Sequence, residues 1–481
     1  MTESTATLAP TPVRATSIEA GGIEAIPPER RHGSPWTLIS TWTAPNLEFA
    51  TIFVGMIAIA YFGLGFWPAM AALALGSAVG AITQGVLSTW GPREGLAQMV
   101  LSRTAFGNRG NILPAAINTI MAGIGWFAVN SVSGALALTT LTKMPVALSL
   151  VIVVVIEVAV AFIGHDLVQV FERYSSIVLG IIFLIATIVI FTHADFGMQQ
   201  KGGNFSFGGF TLAAGAAFGY AAGWNPYASD YSRYFARATS KLKIGWAAGI
   251  GNFVSCVVLM GAGAAAATIT FNGDNPTESF TSSLPSVLAG FTLIAIAVGA
   301  IAANALNVYS GAMSFLAAGI KIAFSLRRAI IALGFGVIGF FVALSAVINS
   351  QLSHDYENFL LVIAYWISPW LAIVFADRFL RRGTEIASLV PERAKYRNPA
   401  GIISFVVGVV VSIVLFSNQT FFVGLVPKAN ASVGDLTAIA GFIISGVLYV
   451  ILFIAFKPKL GGPLTDAPAV VVGVDAADDV A

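Results

Sequence analysis

Residues 208–226 read Gly208-Gly209-Phe210-Thr211-Leu212-Ala213-Ala214-Gly215-Ala216-Ala217-Phe218-Gly219-Tyr220-Ala221-Ala222-Gly223-Trp224-Asn225-Pro226. The run is apolar enough to lie in lipid, yet five glycines and a closing proline interrupt it. In membrane proteins such interrupted segments mark discontinuous helices, whose freed backbone groups line a binding site near the bilayer midplane. The first apolar run of the chain, with Gly55, Gly63 and Gly65, is a second segment of this kind. Runs one and six would correspond if runs one to five form one repeat and six to ten its inverted partner. The same glycines also suit close packing between helices, and the sequence leaves both readings open.

The composition makes lipid the solvent. Of 481 residues, 57% are hydrophobic and only 10% charged, and the mean hydropathy of +0.84 exceeds what a soluble core of ordinary shape can hide. A membrane helix needs about 20 apolar residues. Runs of that length fall near 46–67, 69–90, 112–141, 146–164, 174–193, 208–225, 245–271, 286–318, 329–349, 357–380, 401–424 and 436–456. The expected fold is therefore an all-α polytopic membrane protein with 12 transmembrane helices. The chain divides into a tail and lead-in (1–45), a first five-helix unit (46–193), a second (208–380), two accessory helices (401–456) and a tail (457–481).

Basic charge sets the direction of threading. With the N-terminus placed inside, the gaps on that side collect all but Lys143, Lys201 and Lys428 of the 25 Lys and Arg residues. They include Arg14, Arg93, Arg103, Arg109, Arg173, Arg233, Arg237, Lys321, Arg327, Arg328 and Arg393. Cationic loops are held back from translocation, so the split predicts a multi-pass protein of the cytoplasmic membrane with both termini inside. The first 33 residues have no apolar core of a cleavable signal. The basic residues line the membrane edge, and nucleic acid is not an expected partner.

Several polar residues stand out against the apolar background. Trp126 and Asn130 are four apart and share one helix face. An indole beside an amide can stack on a flat heterocycle while the amide bonds its edge, although an interfacial anchor and an interhelical tie are the plainer alternatives. Asn304 and Asn307 are three apart in the eighth run, where uncompensated amides are costly and need partners. Glu48 opens the first run, Glu157 sits inside the fourth, and Asp230 follows the sixth. Acids at such depth are candidates for carrying protons, because the charged form is expensive in hydrocarbon. Glu48 also suits a lipid-headgroup or capping role, Glu157 serves equally as a tie to a neighbouring helix, and Asp230 suits a cytoplasmic gate near an Arg.

Other chemistries lack their residues. Cys256 is the single cysteine, so no intramolecular disulfide forms. There is no phosphate-binding Gly-rich loop, and His32, His165, His193 and His354 form no pair at metal-ligand spacing. No metal, no other cofactor and no enzymatic activity are expected.

Four longer motifs resemble one family. Ile23-Glu24-Ala25-Ile26-Pro27-Pro28-Glu29-Arg30-Arg31 is similar to the lead-in of the nucleobase:cation symporters, purine-cytosine permease group. The loop Gly91-Pro92-Arg93-Glu94-Gly95-Leu96-Ala97-Gln98-Met99 resembles that family's Gly-Pro-Arg-x-Gly-Leu-x-Gln-Met, and Gly125-Trp126 with Asn130 and Gly223-Trp224-Asn225-Pro226-Tyr227 match as well. The resemblance spans nearly the whole chain and implies the leucine-transporter-like fold, ten core helices in two inverted five-helix repeats plus two C-terminal helices. It further implies a pocket in which Trp126 and Trp224 stack on a nucleobase-like ring and Asn130 and Asn304 bond its edge. Glu48, Gly55, Phe218 and Asn307 complete the candidate substrate set, and Glu48, Glu157 and Asp230 the coupling and gating set.

Two departures bear on specificity. The family's Ala-Asn-Asn-Ile-Pro-Asn is here Ala302-Ala303-Asn304-Ala305-Leu306-Asn307, so cytosine is not assumed as substrate. Sodium-coupled relatives carry hydroxyls where this chain has Val298 and Gly299, which favours a proton gradient over sodium. The expected function is proton-coupled import of a nucleobase or related flat heterocycle. Amino-acid or amine transport on the same fold, and a membrane sensor or channel, are the rival readings. The partners expected are that small molecule and the bilayer; the sequence does not specify an oligomeric state.

Overall fold

A computed structural model describes residues 23–163, 165–320, 327–349, 352–386, 388–391 and 394–463. Arg14, Lys321 and Arg393, the side chains of His165, Arg173, Arg327 and Arg328, and most of both expected tails lie outside the described residues. Among those described, nine helices are long and apolar enough to cross a bilayer, and Thr37–Asn46 with Phe49–Ala60 adds a span bent by 59°. With Val146–Ile163, and with Phe207–Ala222 followed by Ala228–Ser232, helical segments occur at all the places the sequence assigns. We call them spans one to twelve in chain order. Leu184, Val410 and Ile454, each more than half exposed, belong to the apolar belt that such a protein presents to lipid.

The first span differs from its sequence reading in two ways. It starts at Thr37, not at 46, because the mixed sequence Thr37–Thr43 does not read as apolar. Its interruption falls at Ala44–Glu48 and not at the glycines. Pro45 lies in a 3-10 turn, Leu47 has φ −78° and ψ 62°, and Glu48 is extended at φ −151° and ψ 172°. Pro45 has no N–H to give and crowds the preceding turn, so the helix stops and restarts at Phe49. Glu48 therefore sits in the middle of the span instead of opening it. In the sixth span the helix Phe207–Ala222 ends at Gly223, and a turn at Asn225–Tyr227 precedes the short helix Ala228–Ser232.

Most glycines of these spans serve packing. A Cβ on Gly55 would overlap the Met260 carbonyl of span seven and lie 2.8 Å from Ala264 N, while one on Gly263 would overlap Ile52 O. Likewise a Cβ on Gly219 would overlap Leu360 O of span ten, and one on Gly80 would lie 2.7 Å from Ala222 N. Small residues of this kind let helix backbones touch, which is how spans associate when lipid is as apolar as their side chains.

The loops sort into two faces as the charge pattern requires. On one face Arg103 donates to Val390 O (3.2 Å) and Ala317 O (3.0 Å), Arg31 donates to Pro92 O (2.6 Å), and Arg378 pairs with Glu94 (3.3 Å). The same face holds the Arg237–Glu385 pair at 3.4 Å and the bond from His32 N to Tyr234 O. On the other face Gln200 donates to Ile59 O and Leu64 O, and Asn275 donates to Thr140 Oγ1. Beneath the basic face, Arg381 and Asp377 form a buried ion pair at 2.7 Å, and Tyr449 donates to Asp377 at 2.6 Å. These bonds fix span ten to span twelve.

Candidate substrate site

The two interrupted spans meet at their breaks. Trp224, just before the turn in span six, donates its indole N–H to Asn46 Oδ1 in the break of span one at 2.8 Å. Asn46 is held in turn, donating to Trp42 O (2.9 Å) and Ser255 Oγ (3.0 Å). The Trp224 ring packs at 5.6 Å edge-on to Tyr227 and at 6.1 Å from Trp42. Its N–H is thus committed within the protein, and its plane is set by Asn46.

Glu48 occupies the restart of span one. Its Oε2 accepts from Ala50 N at 2.7 Å, capping the new helix, and its Oε1 accepts from the Tyr220 hydroxyl of span six at 2.9 Å. The Tyr220 hydroxyl also lies 2.5 Å from Thr51 Oγ1, and Tyr356 of span ten donates to Ala50 O at 2.8 Å. A carboxyl at a helix N-terminus, with a phenol donor on its other oxygen, is well held. Glu48 is 1% exposed, so solvent does not share in the arrangement.

Trp126 lies at the end of a π-helical turn, Met121–Trp126. Such turns insert a residue into the helix and re-aim the side chains beyond it. The turn coincides with close approach of aromatic rings: a Cβ on Gly123 would lie 2.5 Å from the Phe335 ring, and one on Gly125 would overlap Phe359. The Trp126 indole meets the Tyr220 ring edge-on at 5.3 Å and Phe359 at 5.1 Å. Tyr220 therefore joins the Trp126 ring to the Glu48 carboxyl.

The amides form a second group. Asn130 Nδ2 donates to Asn304 Oδ1 at 3.0 Å, and Asn304 Nδ2 donates to Phe127 O at 3.0 Å. Asn307 Nδ2 stands 3.5 Å from Asn304 Oδ1, and Tyr227 donates to Asn307 Oδ1 at 3.4 Å. Asn130 Oδ1 is buried and has no hydrogen-bond partner among the described residues. Glu157 reaches this group from span four, where Ser131 Oγ lies 2.6 Å from its Oε2.

Gly55 faces span seven, whereas Phe218 is buried in the same apolar cluster as Trp126 and Tyr220. Asp230 accepts from Gln98 N at 2.8 Å, tying span six to the loop after span two, near the basic face. A cavity of roughly 650 Å³ opens between spans one, three, nine and ten, lined by Phe49, Ala50, Ala128, Val129, Tyr356 and Phe359 among others. It borders the chain neighbours of Glu48 and Asn130, not those side chains themselves. Among the described residues there is no group of three or more His, Cys, Asp or Glu able to hold a metal ion.

This arrangement, two broken helices crossing beside an aromatic and amide cluster, agrees with what comparison with known proteins finds. Residues 25–443 match the family described as permease for cytosine/purines, uracil, thiamine, allantoin. The chain belongs to this family. It is 29% identical over 454 residues to a putative purine-cytosine permease of Bacillus subtilis, covering 92% of this chain and 97% of that one. To a purine-cytosine permease of Emericella nidulans it is 30% identical over 460 residues, covering 91% and 88%. Among solved structures it is similar to Mhp1, a nucleobase-cation-symport-1 family transporter in a closed conformation with bromovinylhydantoin bound. The TM-score is 0.74 at 18% identity, covering 94% of this chain and 98% of that one. The fold is shared with that transporter, and this permease is a membrane transport protein, not an enzyme.

Sequence reasoning about the permease missed Asn46, Tyr220 and Tyr356. Asn46 was legible in principle, since it comes directly after Pro45 in an apolar run. Tyr220 and Tyr356 carry no local signal; only the packing of spans six and ten against Glu48 gives them a role.

Proposed function

We propose that the protein is a proton-coupled symporter that imports a nucleobase or related flat heterocycle across the cytoplasmic membrane, with both termini inside. Trp126 and Trp224 provide aromatic faces, and Asn130 and Asn304 bond the polar edge of the ring. The two five-helix units, 46–193 and 208–380, move against each other around this site, the first extended back to Thr37.

The observation that carries the coupling is the Tyr220 contact. One phenol donates to Glu48 at 2.9 Å and meets the Trp126 ring at 5.3 Å. A proton arriving on Glu48 turns the carboxyl from pure acceptor to donor and so changes what Tyr220 can bond. Tyr220 then repositions the ring on which substrate stacks. Sodium has less to hold it. Span eight closes on the break of span one at Gly299, where a Cβ would overlap Leu47 O and lie 3.0 Å from Glu48 Cβ. Neither Val298 nor Gly299 brings a side-chain oxygen there, and a hard cation needs several oxygens.

Uptake of radiolabelled nucleobases by cells expressing the protein tests the reading. Accumulation should collapse with a protonophore and survive replacement of sodium by choline. Uptake indifferent to the proton gradient would refute the coupling, and failure of every nucleobase to compete would refute the substrate class.

A further inference from the structure

The Glu48 mechanism leaves a second buried acid unused. Glu157, 1% exposed, projects from span four toward span three. Its Oε2 lies 2.6 Å from Ser131 Oγ, and Ser131 Oγ lies 2.7 Å from Phe127 O and 3.4 Å from Asn304 Nδ2. Asn304 Nδ2 also donates to that same Phe127 O. Glu157 Oε1 has no hydrogen-bond partner among the described residues. An acid is thus one hydroxyl away from the amide that is to read the substrate.

The geometry points to Glu157 as a second proton-binding site, linked through Ser131 to the amide of Asn304, so that protonation of Glu157 and occupancy of the Asn130–Asn304 site favour each other. The reasoning counts hydrogens. Ser131 has one, with two acceptors in reach. When Glu157 is ionised it can only accept, so Ser131 donates to it and Phe127 O is left to Asn304. When Glu157 carries a proton, it donates to Ser131, and the Ser131 hydrogen turns to Phe127 O. Asn304 Nδ2 then shares that carbonyl and is released toward substrate, where it can donate to a ring carbonyl or ring nitrogen. Proton and substrate bind together, as symport requires.

Among the described residues no fixed charge meets the Glu157 carboxyl. Ser131 is the residue hydrogen-bonded to the Glu157 carboxyl among the described residues, with the Asn304 amide beyond it. Phe127–Thr142 of span three has no ionisable residue, and Ser286–Ala317 of span eight has only Tyr309. In the other packed helices the ionisable residues lie toward the ends: Arg327 and Arg328 open span nine, while His165, Asp166, Glu172, Arg173 and Tyr174 fall in the first part of span five and His193 closes it.

The inference rests on the nucleobase symporter reading, and the experiment separates the two. Purified full-length protein is titrated with nucleobase in buffers of differing ionisation enthalpy, which gives the protons taken up per substrate bound. Glu157→Gln, whose amide donates to Ser131 as the protonated acid would, should lose up to about one proton per substrate near neutral pH. Its affinity at alkaline pH should rise to the level the unaltered protein shows at acidic pH. Ser131→Ala keeps the acid but cuts the link, and should show the same loss of proton uptake; it also serves if Glu157→Gln does not fold. Unchanged proton uptake in either variant overturns the proposal. An unaltered protein that binds nucleobase with no proton uptake refutes the coupling reading itself.

Discussion

Replacing Asn130 by Ala tests the amide site most directly. In the free protein Asn130 gives its Nδ2 to Asn304 Oδ1 at 3.0 Å and keeps a buried Oδ1 that has no hydrogen-bond partner among the described residues. That oxygen is the acceptor available to a ring N–H. Truncation removes the acceptor and leaves the substrate donor unpaired in a buried site, at a cost of about 1–3 kcal/mol, or roughly 5- to 150-fold in affinity. Asn304 keeps its bond to Phe127 O, so folding should suffer little. The assay is equilibrium binding with a pair of ligands, one carrying the edge N–H and one methylated there, against both proteins. A contact gives a non-additive cycle, with a coupling of about 1–3 kcal/mol between Asn130 and the N–H. Full additivity, with properly inserted protein, would remove Asn130 from the site.

The same geometry sets three further outcomes. Tyr220→Phe removes the donor to Glu48 but keeps the ring against Trp126; gradient-driven accumulation should fall about tenfold or more, the equivalent of one lost buried hydrogen bond, while binding without a gradient changes little. Gly55→Ala forces a methyl into the Met260 carbonyl, so thermal unfolding in detergent should show a loss of about 1–3 kcal/mol, and a wild-type melting curve would contradict the packing role. Asp377→Ala strips the partner from buried Arg381 and should destabilise by about 3–5 kcal/mol, visible as poor yield of folded protein even though transport chemistry lies elsewhere.

How much of the site is legible in the sequence depends on whether its signal is local. Trp126, Asn130 and Asn304 stand out as polar or aromatic residues in apolar helices, and the structure brings Asn130 and Asn304 into direct contact. Gly55 attracts notice because glycine can mark a break, whereas Pro45 makes the break and Gly55 lets span seven approach. Glu48 is visible but reads as the opening of the span, because the polar Thr37–Thr43 helix before it has no apolar signature. Trp224 is expected to offer only a stacking face; its N–H proves tied to Asn46.

The helical membrane class, the order of spans and the division of loops into two faces are all readable along the chain. Each is an additive property: hydropathy sums along a run, and basic charge sums along a loop. Tertiary structure alone decided that Tyr220 stands between Glu48 and Trp126, that Ser131 stands between Glu157 and Asn304, and that Asn46 fixes Trp224. Those pairings join residues from different spans, and hydrogen-bond geometry over about 3 Å depends on how whole helices pack, which no local pattern of residues encodes.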